Sequence, residues 1–339
     1  MYWEIWDTGG MRKLLVFETM SNRNGSQRRG LAIGCGGTLG AAWIVAALAA
    51  ARDVLDWDPR TADVMIGTSA GSEMVTMLGS GIGVDELIAM QRGTTENAIL
   101  AAHMRCAPGR FPPLPRLRPG APGHTLRAVR EGRLTDRQRL LTAGSGLLPV
   151  GGGDPGWLQR LADRLNPGGG WVSHPATWLA AMDYATGERV AFGSPTAPEA
   201  NLGAALRASW AVPGWFPPVP IAGRRFIDGG AASTASVDLL IPERLEEIVV
   251  IAPMASTGRL PATSAGHFLE RQMRDRMSAQ LDDEIARVRA TGTKVLRIDA
   301  SSEDLVVMGP NFMDGRRRLA TFEHSLTSTR KALELGEFV

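Results

Sequence analysis

The chain has 339 residues, 44% of them hydrophobic and 21% charged, enough to bury one large core or a core with an appended lid. This is the composition of a folded globular protein, not a disordered or fibrous one. The formal net charge is +2, with cations that are nearly all arginine (the lysines are Lys13, Lys294 and Lys331), so nothing global calls for nucleic acid as a partner.

Residues 1–29 read as a flexible leader that ends in the polar run Ser21 to Arg29, without the continuous apolar core of a secretory signal. Gly30 to Gly34 is a short apolar strand, followed by a glycine-rich turn, Cys35 to Gly40, and an alanine-rich helix from about Ala41 to Leu55. The apolar run Ala41 to Ala51 is too short to cross a bilayer. Ala62 to Gly67 is a second strand, which turns at Thr68 to Gly71 into a helix ending near Gly79. Strand, glycine turn and helix, given twice, predict a parallel sheet covered by helices.

Residues from about 95 to 175 are rich in proline and glycine and read as an insertion decorating the sheet. Regular structure resumes with Thr177 to Asp183 and Arg189 to Phe192 as paired strands, a short helix over Leu202 to Ser209, and a buried strand over Glu247 to Ala252. Residues 264–291 carry apolar positions at helical spacing, Val295 to Ile298 is the last strand, and about 313–335 the last helix. One α/β domain over 30–335 with an insertion is the simplest account. Cys35 and Cys106 make no disulfide framework, no His/Cys cluster points to zinc, and a reducing cytosol fits this usage. The expectation is a cytoplasmic protein, soluble or peripheral at a membrane.

Three segments carry chemistry. Gly67-Thr68-Ser69-Ala70-Gly71 is a G-x-S-x-G pattern, whose glycines let a strand turn sharply into a helix with the serine at its apex. The pattern alone is weak in a chain with 40 glycines, and the strand before it and helix after it are what raise it. Gly34 to Gly40 is a glycine loop between a strand and a helix, where free amides can bind a negative oxygen. A dinucleotide loop is the competing reading, but no acidic residue ends a second strand about twenty residues on. Phe226-Ile227-Asp228-Gly229-Gly230 contains an Asp-Gly pair that by itself is only a turn.

In this order and with these flanks, the three segments resemble the patatin-like phospholipase family. Its pattern is a glycine-rich oxyanion loop after the first strand, a G-x-S-x-G elbow after the second, and a later D-G-[GA]. The approach Ala208-Ser209-Trp210-Ala211-Val212-Pro213-Gly214, followed by Phe216-Pro217-Pro218, is similar too. The resemblance implies a three-layer α/β/α fold with a mainly parallel sheet and a lid-like insertion. It implies a lipid acyl hydrolase with a Ser69–Asp228 dyad, no catalytic histidine, and a covalent acyl-serine intermediate. Backbone N–H groups of Gly36, Gly37 and Thr38 would hold the oxyanion, with Gly67, Gly71 and Gly229 supporting the turns. No metal and no organic cofactor is implied, and the substrate is a lipid or other acyl ester. Asp228 must then lie in a partly desolvated pocket to act as a base, to which Trp210, Trp215 and Phe216 contribute unless they are core. Most family members carry arginine or lysine at the position of Leu39 and glycine at that of Cys35, so the loop lacks a cation for substrate phosphate.

Two alternatives stand beside this reading: a Ser-His-Asp esterase using His324, and a non-catalytic scaffold on the same fold. The other histidines, His103, His124, His174 and His267, show no ligand spacing. Between Met104 and Leu140, nine arginines stand against Glu131 and Asp136. Interleaved with Phe111, Leu114 and Leu117, they suit either a lid landing on anionic lipid or a solvated basic face.

Overall fold

The computed structural model describes residues 27–106, 108, 148–256 and 265–336. The leader apart from its last three residues, and nearly all of the arginine-rich stretch 104–140, lie outside the described residues.

An eight-stranded sheet forms the centre. Its parallel part pairs β1 (Arg29–Ile33) with β2 (Val64–Thr68) on one side and β7 (Glu247–Ser256) on the other. Beyond these, β3 (Thr177–Asp183) runs parallel to β2, and β8 (Lys294–Ala300) parallel to β7. Three strands are antiparallel: β4 (Arg189–Phe192) and β6 (Arg224–Asp228) pair with β3, and β5 (Val219–Ile221) forms a hairpin with β6.

Strand periodicity sorts the side chains into two cores. Leu31, Ile33, Met65, Leu179 and Ile251 face one layer of helices; Ala32, Ile66, Trp178, Ala180 and Val250 face the other. The first layer centres on α1 (Gly37–Leu55), with α2 (Ala70–Gly79), α3 (Val84–Arg92), α4 (Ala98–Met104), α5 (Gly156–Leu165) and α6 (Leu202–Ser209). On the opposite face α7 (Ala265–Arg289) contributes Leu281, Ile285 and Val288. The chain ends its regular structure in α8 (Ser302–Met308) and α9 (Arg318–Glu334), and α9 lies along α1.

This sandwich of helices around a mainly parallel sheet is the expected fold class, with differences in detail. The first helix begins at Gly37, not at Ala41, so the glycine loop ends inside its first turn. At 19 residues α1 is long and apolar enough, by length and composition, to cross a membrane, although every residue from Gly37 to Ala51 is buried inside the protein. The second strand runs to Thr68 and β7 to Ser256. The hairpin β5–β6 and helices α3 and α8 have no counterpart in the sequence reading. The described flanks of the 95–175 stretch add no strand to the sheet, yet α5 buries Trp157, Leu158 and Leu161 in the main core.

The outer helices are tied by one buried acid. Asp304, at the start of α8, accepts a hydrogen bond from Trp43 Nε1 of α1 (3.1 Å) and from Ser328 Oγ of α9 (2.6 Å). It also closes a capping box with Ser301. Removing it strands a buried indole N–H and a hydroxyl. We expect Asp304→Ala to cost about 2–4 kcal/mol, read as a lowered urea midpoint; an unchanged midpoint contradicts the tie.

Candidate active site

The G-x-S-x-G segment is a strained elbow. Ser69 sits between β2 and α2 at φ 55°, ψ −118°, a left-handed backbone that costs a non-glycine residue about 1–3 kcal/mol. The glycines on either side are required by contact: a Cβ on Gly67 would collide with the backbone of Gly71, and one on Gly71 with the carbonyl of Ile33 in β1. The elbow is then braced by hydrogen bonds. The Ser69 N–H donates to Ser209 Oγ (2.9 Å), and that hydroxyl donates to the Ala180 carbonyl of β3 (2.7 Å). Ser72 Oγ donates to the Ser69 carbonyl (2.6 Å). In the sequence Ser209 falls within the family-like approach to Asp228, and nothing in its own position marks it as a brace.

Strand register brings Asp228 to the same place. Ala181 and Met182 of β3 pair with both β4 and β6, so those two strands lie on opposite edges. Ala180 pairs with both β4 and β2, so β2 shares its edge of β3 with β6. The two strands approach end to end, Thr68 opposite Ala180 and Asp228 opposite Ala181. The Ser69 side chain accordingly lies near enough to favour the charged form of the Asp228 carboxyl. Asp228 is 4% exposed; its N–H donates to the Ala211 carbonyl (3.0 Å), and Oδ1 accepts the Gly230 N–H (2.7 Å). Burial pushes this carboxyl up to about 7, against the Ser69 side chain and the Gly230 N–H, which favour the anion. Trp210 and Phe216 are core residues, Trp210 meeting Trp157 edge-on at 5.3 Å, and Trp215 is only partly buried.

The glycine loop presents amides at a helix N-terminus. The Gly34 N–H is taken by the Ile251 carbonyl (2.8 Å), that of Cys35 by Thr234 (2.9 Å) and that of Leu39 by Phe312 (2.9 Å). Among the described residues, the amides of Gly36, Gly37 and Thr38 between them have no protein acceptor. Gly37 is held at φ 58° against Phe312 and Met313. Leu39 is fully buried in the core, so the cation usual in the family could not stand there without being buried as well. Cys35 adjoins the Asp228 segment: a Cβ on Gly230 would lie 3.0 Å from its Sγ. Burial, and then the charge of Asp228, push the Cys35 thiol up, which keeps it neutral.

The histidines lie elsewhere in the network. His324, on α9, faces Asp304 at 3.5 Å, and so its carboxylate partner is not Asp228. His103 pairs with Glu73 at 2.7 Å, both buried, and its ring meets Trp157 at 5.2 Å. His174 Nε2 bonds the Ala62 carbonyl (2.7 Å), His267 is on α7, and His124 lies outside the described residues. No group of three or more His, Cys, Asp or Glu suited to a metal occurs among the described residues.

An elbow serine at the end of a central parallel strand, with a carboxylate delivered by an antiparallel neighbour, defines an α/β protein of the nucleophile-elbow class. The profile of the patatin-like phospholipases matches residues 31–241, more than half of the chain, and the chain belongs to that family. Membership implies lipid acyl hydrolase activity. No curated protein matches the chain. Among solved structures it is similar to VipD from Legionella pneumophila, at 12% identity over 91% of this chain and 67% of that one, with a TM-score of 0.43. That likeness is too remote to add to what the strand pairing and the family match provide.

The raised carboxyl has a consequence for stability. The folded chain holds the Asp228 proton up to about pH 7, whereas an unfolded chain releases it near pH 4. The folded state therefore binds more protons between these values, and stability falls as pH rises through that window. Asp228→Asn removes this slope. Urea titrations should show the variant gaining on the wild type from pH 4 to pH 8, by on the order of 4 kcal/mol. Parallel curves across the window would refute the raised carboxyl.

Proposed function

We propose that the protein is a serine lipid acyl hydrolase working through Ser69 and Asp228. The observation that carries this is the strand register that brings the strained Ser69 elbow and the buried Asp228 carboxyl together at one edge of β3; burial lifts that carboxyl to about 7. A base with a pKa near the working pH is both ionised and strong enough to share a hydroxyl proton. Ser69 Oγ attacks the ester carbonyl carbon while its proton passes to Asp228. The carbonyl oxygen becomes an oxyanion beside the amides of Gly36, Gly37 and Thr38 and the positive end of α1. The intermediate collapses with loss of the alcohol, which takes the proton from Asp228 and leaves an acyl-serine. Water, deprotonated by the same carboxylate, then attacks the acyl carbon and releases the acid.

Nitrophenyl esters of increasing acyl length supply the assay. Ser69→Ala should abolish turnover, and Asp228→Asn should lower kcat on the order of 10²–10⁴-fold. His324→Ala should leave it unchanged, because that histidine serves Asp304. The wild-type kcat/KM should rise with pH through an ionisation near 7 and level off above it, since only the carboxylate is a base. Wild-type protein that neither turns over an ester nor labels Ser69 with a fluorophosphonate would favour a scaffold instead.

The same reading extends to a cytoplasmic enzyme acting on lipid surfaces. The nine arginines of residues 104–140 supply cations worth about 1 kcal/mol each near anionic lipid. Liposome flotation should recover more protein with anionic than with neutral vesicles; equal recovery overturns this part.

A further inference from the structure

Helix α7 lies across the sheet from α1 and contributes no group to the chemistry above, yet it grips the segment that follows Asp228. Glu284 of α7 is 1% exposed and accepts from the Ser233 hydroxyl (2.9 Å), from Gln280 Nε2 (3.1 Å) and from Arg189 of β4 (3.2 Å). Arg189 in turn pairs with Asp238 at 2.7 Å, as does Arg287 of α7 at 2.8 Å. Ser233 Oγ also accepts the Ser236 N–H (2.7 Å), and Ser236 stands at φ 52°, another left-handed non-glycine residue. The Ser233 N–H donates to the Gly229 carbonyl (2.9 Å), tying this point directly to the residue after Asp228. Gln280 donates as well to the Ala232 carbonyl.

One turn earlier on α7, the Met277 carbonyl accepts the Thr234 hydroxyl (2.9 Å). The carbonyl of the same Thr234 accepts the Cys35 N–H (2.9 Å), immediately before Gly36. Thus the segment bearing the base and the loop bearing the free amides touch at Thr234, and both are fixed to one helix. A buried carboxylate is an expensive way to fill a core. Here its acceptor oxygens hold a strained backbone that apolar packing could not orient.

We infer that Glu284 is a positioning residue: acting through Ser233, with Gln280 and Thr234, it holds the 228–236 segment and the 34–38 loop as one unit. Its catalytic part rests on the hydrolase reading above; its structural part does not. Base and oxyanion amides are useful only at a fixed separation, and a displacement of about 1 Å can cost a hundredfold in rate.

The test compares wild type, Glu284→Ala and Glu284→Gln in the full chain by hydrogen-exchange mass spectrometry, steady-state kinetics and thermal melting. Glu284→Ala should accelerate exchange in both the 34–40 and 228–236 peptides while leaving β8 protected. Its kcat should fall on the order of ten- to a hundredfold with KM within about threefold. Glu284→Gln keeps an oxygen for the Ser233 hydroxyl and should recover most of both losses. If Glu284→Ala does not fold, Thr234→Val, which removes only the link to Met277, should still accelerate exchange at 34–40. Unchanged exchange at 34–40, or a loss of melting temperature with no change in kcat per folded molecule, would overturn the positioning role. A wild type with no turnover and no fluorophosphonate labelling of Ser69 would overturn the hydrolase reading instead, and the exchange comparison would still decide the clamp.

Discussion

The site depends on one edge of β3 being divided between two strands that run toward each other. β2 fills the first part of that edge in parallel and β6 the last part in antiparallel. Both strands end at this junction, β6 with Asp228 itself and β2 just before Ser69. Their meeting is set by backbone hydrogen bonding in the middle of the sheet and not by surface loops. Ser209 seals the junction, its hydroxyl bridging the Ser69 amide and the Ala180 carbonyl. A strained elbow needs such over-determination, since the native backbone at Ser69 is one that a free chain would abandon.

The same location sets the state of the Asp228 carboxyl. At the centre of the sheet there is little water to stabilise an anion, so the ordinary acidity of aspartate is suppressed. Nearby side chains preserve that condition. Leu39 and Trp210 are core residues, and the Cys35 thiol remains uncharged. Among the described residues, the Asp228 carboxylate accepts the Gly230 N–H and has no ion pair. A paired arginine would have favoured the anion and lowered the pKa.

Much of this was legible in the sequence, for identifiable reasons. Local signals succeeded at the glycines at 67 and 71, at the short apolar runs within Thr177–Asp183 and Arg189–Phe192, and at the helical spacing over Ala265–Arg289. They failed where tertiary contacts decide. The turn that starts α1 at Gly37 packs against Phe312 and Pro253, which lie hundreds of residues away in the sequence. The β5–β6 hairpin is hidden by Pro217, Pro218 and Pro220 and by strands of only three and five residues. Ser209, Gln280 and Glu284 look like ordinary helix residues until the sheet brings them to the elbow and to the segment after Asp228.

The arrangement of α1 and α9 bears on how the chain comes to be folded during synthesis. α1 is an apolar helix with fifteen successive buried residues, and one side of it is covered by a helix made of residues 318–334. Until those residues have been made, that cover does not exist. Over that interval a ribosome-bound chain carries an apolar helix with one side uncovered, a state open to aggregation or to capture by chaperones. Docking of α9 is the step that withdraws that side of α1 from solvent.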